Sequence, residues 1–134
     1  MSATPNPGGV NYTLTIVGQL WTTNAERNKH WSARATLTKQ WRQDTFYAAK
    51  AAQIPNLGRA IITATPKQAK GRLADTGSHY GPVKACIDGL VDAGILDDDT
   101  GEHIPTVISH AAVRSTHKSM TGLLDELVLV IEPV

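Results

Sequence analysis

Asp97, Asp98 and Asp99 stand in direct succession. Carboxylates this close repel one another unless a cation neutralises them, and a hard divalent ion such as Mg2+ takes oxygen ligands, commonly one or two carboxylates with water and phosphate. Taken alone, the run reads as a solvated acidic turn. Its surroundings add parts that such a turn does not need. Asp75 lies in a separate Gly-rich stretch, and Lys84 and Asp88 stand between the two acidic segments. Metal-assisted cleavage of a phosphodiester calls for carboxylates from separated segments, a basic group near the scissile phosphate, and a positive surface to hold the backbone.

The order of the charges supplies that surface. The chain has 134 residues and a formal net charge of only +1. From Arg27 to Arg72, however, ten basic residues face one acid, a net of +9, and from Leu73 to Val134 ten acids face three bases, a net of −7. This segregation fits a polyanion-binding half beside a carboxylate cluster. It fits equally well helix faces that pair with each other across the fold.

Other chemistries find less support. His30, His103, His110 and His117 show no zinc spacing. His79 reads as a solvent-exposed loop histidine, with ligation of a softer ion such as Mn2+ as the alternative. Cys86 is the single cysteine, so an internal disulfide and a Cys-rich metal site are excluded, and it reads as a small buried thiol. Gly71, Gly77 and Gly81 lack the Lys-Ser/Thr of a phosphate loop, so no nucleotide cofactor is expected. No apolar run approaches the roughly 18 residues of a membrane span. The leading MSATPNPGGV has neither the basic nor the apolar region of a signal peptide, so a cytoplasmic location is expected.

The elements that must position these groups follow from periodicity. Residues 1–10 read as a disordered arm and residues 11–134 as one domain. Tyr12, Leu14 and Ile16 alternate with Thr13, Thr15 and Val17, the pattern of a strand. Residues 31–53 lack Gly and Pro, and Leu37, Trp41, Thr45 and Ala48 recur at helical spacing ahead of Pro55. Residues 60–65 read as a strand stopping at Pro66, followed by a loop. A second helix runs from about Pro82 to Ala93, with Val83, Ile87, Leu90 and Val91 on its apolar face, Lys84, Asp88 and Asp92 on the opposite stripe, and Gly94 just past its end. Residues 104–115 and 126–131 read as further strands, the last apolar enough for burial on both faces. The fold class expected is α/β (α+β), a single domain with a mixed sheet packed by two main helices.

The block from Lys84 to Asp99 resembles the RusA-type Holliday junction resolvases of phages and prophages. In that family a D-x-D-N loop leads into a helix bearing a Lys, an Asp four residues later with a small residue and Leu behind it, then a Gly, and an Asp pair eleven residues beyond the helix Asp. Lys84, Asp88, Leu90, Gly94, Asp98 and Asp99 stand at that spacing. The first strand, the polar loop ending at His30 and Trp31, and the long helix with Trp41 and Arg42 are similar more loosely, over about residues 10–132. The acidic loop departs from the pattern. Asp75 matches the first family acid, Gly77 stands where the second belongs, and nine residues separate Asp75 from Lys84.

The resemblance implies a homodimeric, Mg2+- or Mn2+-dependent endonuclease that cuts branched DNA such as a four-way junction, in a bacterial or phage-infected cell. By the same resemblance Asp75 and Asp99 would hold the ion, with Asp98 and Asp88 close behind, and Lys84 would stabilise the phosphate. Lys67, Lys70 and Arg72 are the first candidates for phosphate contacts, followed by Lys29, Arg34 and Arg42. The competing expectation is a module of the same fold that binds branched DNA or a protein partner without cutting.

Overall fold

The structure, a computed structural model, describes residues 11–22, 31–98, 102 and 107–134. The expected arm at residues 1–10, Lys29, His30, Asp99, His103 and the start of the expected strand at 104–106 lie outside the described residues. Strand β1 (Tyr12–Val17) pairs antiparallel with β7 (Glu126–Pro133), which in turn pairs antiparallel with β2 (Ala60–Gln68). Two short strands, β3 (Val107–Ser109) and β4 (Val113–Arg114), lie in succession parallel to the far edge of β2. A separate hairpin joins β5 (Lys118–Ser119) to β6 (Gly122–Leu123). Two helices, α1 (Trp31–Ala51) and α2 (Tyr80–Asp92), complete an α+β domain with a mixed sheet. No helix among the described residues is long and apolar enough to cross a membrane.

Alternation decides which face of the sheet is covered. Leu14 and Ile16 of β1, Ile62 and Ala64 of β2, and Leu127, Leu129 and Ile131 of β7 share one face and are buried in a single core with Trp41, Val83, Ile87 and Leu90 of the helices. The α2 periodicity therefore holds: Val83, Ile87 and Leu90 are buried and Val91 packs against the core, while Lys84, Asp88 and Asp92 point outward. The expectation that β7 is buried on both faces does not hold. Val128 and Val130 are half-exposed, because both helices lie on the same side of the sheet.

Local chemistry explains where elements stop. Helix α2 ends with Gly94 N–H bonding the Val91 carbonyl and Ile95 N–H bonding the Leu90 carbonyl. This turn needs a left-handed residue, and Gly94 has φ 78°. Strand β2 does not stop at Pro66 but runs on to Gln68. The carbonyls of Ala64 and Gln68 accept bonds from His110 and Ser115 on the β3/β4 side, so the backbone of Pro66, midway between them, faces the same side. There the chain breaks between β3 and β4, and a proline without an N–H costs no ladder bond. The same break corrects the single strand expected over residues 104–115.

Candidate nucleic-acid interface

Three of the candidate phosphate contacts gather at one end of the sheet. Lys67, the last residue but one of β2, is half-buried, and Lys70 and Arg72 follow the strand, exposed, in the loop toward α2. Pairing of β4 with β2 adds Arg114, whose Nη2 donates to the Gly71 carbonyl at 2.7 Å. Arg114 was not evident from the sequence, because it stands in the half whose net charge is −7. Asp75 lies exposed a few residues further on, and the carbonyl of its neighbour Ala74 accepts from Ala112 N–H.

This loop is held by polar side chains. Gln68 Oε1 accepts from Ala74 N–H at 2.8 Å, while its Nε2 donates to the Arg72 carbonyl at 2.9 Å. His79 is buried, only 5% exposed, with Nδ1 2.8 Å from the Trp21 carbonyl and Nε2 3.2 Å from Gln68 Oε1. The solvent-exposed histidine expected from the sequence is therefore a packed one, and both ring nitrogens are turned to protein groups rather than toward an ion. Beside it lies a cleft of about 560 Å3 lined by Gln19, Trp21, Gln68, Lys70, His79 and Asp125.

Asp125 joins two loops at this end of the molecule. Its Oδ2 accepts from Leu20 N–H at 3.1 Å and its Oδ1 from Ala69 N–H at 2.7 Å. Asp125→Ala removes both acceptors and frees the segments carrying Trp21 and Lys70. Hydrogen bonds to a charged group are worth about 1.5–3 kcal/mol each, and partial exposure reduces this, so the expected loss is about 2 kcal/mol in urea unfolding. A midpoint equal to that of the native chain would refute this anchoring role.

Other candidates are engaged elsewhere. Arg42 of α1 forms a two-pronged ion pair with Asp92 of α2, Nε to Oδ2 at 2.5 Å and Nη2 to Oδ1 at 2.8 Å. It is thus engaged in the helix-to-helix pairing that charge segregation also allowed. The Arg42 hydrogen bond holds the Asp92 carboxyl below its ordinary range. The pair therefore stabilises the fold above the ordinary carboxylate pKa and loses its effect as pH falls through the lowered value. Exposure of both groups keeps it to about 0.5 kcal/mol. Arg34 sits half-exposed on α1.

Lys84 and Asp88 meet on α2, Nζ to Oδ1 at 2.5 Å, with side chains 39% and 25% exposed. Asp75 and Asp98 do not meet. Asp75 precedes the start of α2, beside the Gln68 end of β2. Beyond the other end of α2, Asp97 bonds Asn56 and the Gly58 carbonyl, next to the start of β2, and Asp98 follows it. The thirteen residues of α2 span about 20 Å. Among the described residues, no group of three His, Cys, Asp or Glu side chains is placed to hold a metal ion. Asp75 and Asp98 thus stand apart within one chain, and Asp99, the other expected ligand, lies outside the described residues. Burial pushes the Cys86 thiol up to about 12, which removes it as a nucleophile.

No protein-family model and no curated protein matches the chain.

Proposed function

We propose that this protein is a DNA endonuclease of the RusA type, selective for branched DNA such as the four-way junction, acting as a homodimer in the cytoplasm with Mg2+ or Mn2+. The observation that carries the reading is the basic end of the sheet, where Lys70, Arg72 and Arg114 project beside Asp75 with Lys67 at the rim. A polyanion backbone finds there several cations on one rigid scaffold and no recognition helix, which favours shape over base sequence. Lys84, set on the outer stripe of α2, is the group to stabilise charge developing on the phosphate. The second reading, a module that binds branched DNA without cutting, is favoured by the separation of Asp75 from Asp98.

A synthetic four-way junction tests both. Binding should weaken about 40-fold between roughly 50 and 200 mM salt if three phosphates are contacted. A nearly flat salt dependence removes the basic end as the DNA surface. Cutting with Mg2+ or Mn2+ supports the nuclease; salt-sensitive binding with no cutting under either ion replaces it with the binding module.

A further inference from the structure

We infer that the β5–β6 hairpin recognises the branch itself, with Met120 at its tip inserting between bases whose stacking the crossover interrupts. This rests on the branched-DNA reading above and gives Met120 the part of telling a junction from a linear duplex. Pairing of Lys118 with Leu123 and of Ser119 with Gly122 leaves Met120 and Thr121 as the two residues of the turn, and Met120 is fully exposed. Asn, Asp and Gly suit such a turn because they bond the backbone locally or accept a positive φ, and a long apolar side chain does neither. Neighbours supply both here. The Ser119 hydroxyl donates to the Gly122 carbonyl at 2.8 Å and accepts from Thr121 N–H at 3.2 Å, and Gly122 takes the positive φ of 120°. The turn therefore closes without the Met120 side chain.

A single exposed apolar residue is ordinary on a protein surface, so place and support decide. The hairpin stands at the basic end of the sheet. Thr121 and Leu123 line a cleft of about 540 Å3 with Val17, Ala69 and Lys70, and Arg114 and Lys118 add exposed cations along the segment that leads into the turn. The arm is also braced at its base. Leu124 N–H donates to the His117 carbonyl at 2.9 Å, the hydroxyl of buried Ser115 donates to the Leu124 carbonyl at 2.6 Å, and His117 Nδ1 lies 3.0 Å from Oε2 of buried Glu126. An arm already ordered loses little freedom when it meets a ligand. An apolar tip held rigidly among cations suits DNA in a definite way: the cations take the backbone and the side chain enters a base step. In a continuous duplex that entry must first break a stack, whereas at a branch the stack is already interrupted. The same contact is therefore favoured at a junction.

Gel-shift titration of the full chain against a synthetic four-way junction and a linear duplex of the same arm sequence tests this. Met120→Ser should weaken junction binding about tenfold and leave duplex binding within about twofold, whereas Met120→Leu, which keeps an apolar tip, should leave both within about twofold of native. A 2-aminopurine placed beside the crossover should brighten about threefold or more when the native chain or Met120→Leu saturates the junction, and less than half as much with Met120→Ser at saturation. Junction affinity unchanged in Met120→Ser overturns the inference and leaves the proposed function standing. Equal loss on junction and duplex makes Met120 a general DNA contact and overturns its part in branch recognition. Lost affinity with undiminished brightening overturns insertion. A native chain that binds neither DNA, or both equally, removes the proposed function and this inference with it.

Discussion

Gly89→Ala should lower the stability of the fold by about 2 kcal/mol, although alanine is the better helix former by about 1 kcal/mol. The reason is the approach of α2 to α1. A Cβ at residue 89 would lie 2.5 Å from the Arg42 carbonyl oxygen and 2.9 Å from Thr45 Cβ. Neither can yield without moving α1, since one is backbone and the other belongs to a fully buried side chain whose hydroxyl donates to the Trp41 carbonyl at 2.8 Å. Pushing the helices apart also strains the Arg42–Asp92 pair across the same seam. A loss of this size should lower the melting temperature by roughly 5–10 °C in a domain of this length. The sign discriminates: where α2 does not touch α1 at Gly89, alanine raises the melting temperature.

Helix α2 was legible because everything that defines it is local. Pro82 near its start, the apolar positions through Val91, and Gly94 just past its end lie within one stretch, and the structure moves its start by only two residues. The overrun of β2 past Pro66 was not legible, because tolerance of a proline depends on which neighbour its nitrogen faces, and that neighbour is the break between β3 and β4. His79 looked exposed because the groups that bury it, Trp21 and Gln68, lie 58 and 11 residues away in sequence. Charge order alone left Arg42 free to meet a phosphate or a carboxylate, and only the crossing of α1 with α2 selects Asp92. Likewise, spacing could place Asp75 and Asp98 on either side of a helix that carries Lys84, yet not state that the helix holds them apart.

That separation gives the nuclease reading its most demanding consequence. Asp75→Asn and Asp99→Asn should each reduce junction cutting by about 100-fold or more while leaving junction affinity within about twofold, because each removes a charge and keeps the shape. Lys84→Ala should do the same, whereas Arg72→Ala should weaken binding to every branched form and reduce the salt slope by about one. In one chain Asp75 and Asp98 stand beyond opposite ends of α2. A centre that uses both ends would therefore draw its carboxylates from two copies of the proposed homodimer. When the inactive Asp75→Asn and Asp99→Asn chains are mixed in equal amounts and allowed to exchange, half of the dimers are mixed, and each mixed dimer holds one centre with both changes and one with neither. About a quarter of the native number of centres is intact, so cutting should return to roughly a quarter of the native rate under this two-fold assembly. If mixing restores nothing while subunit exchange is demonstrated, the two aspartates do not act together across the dimer.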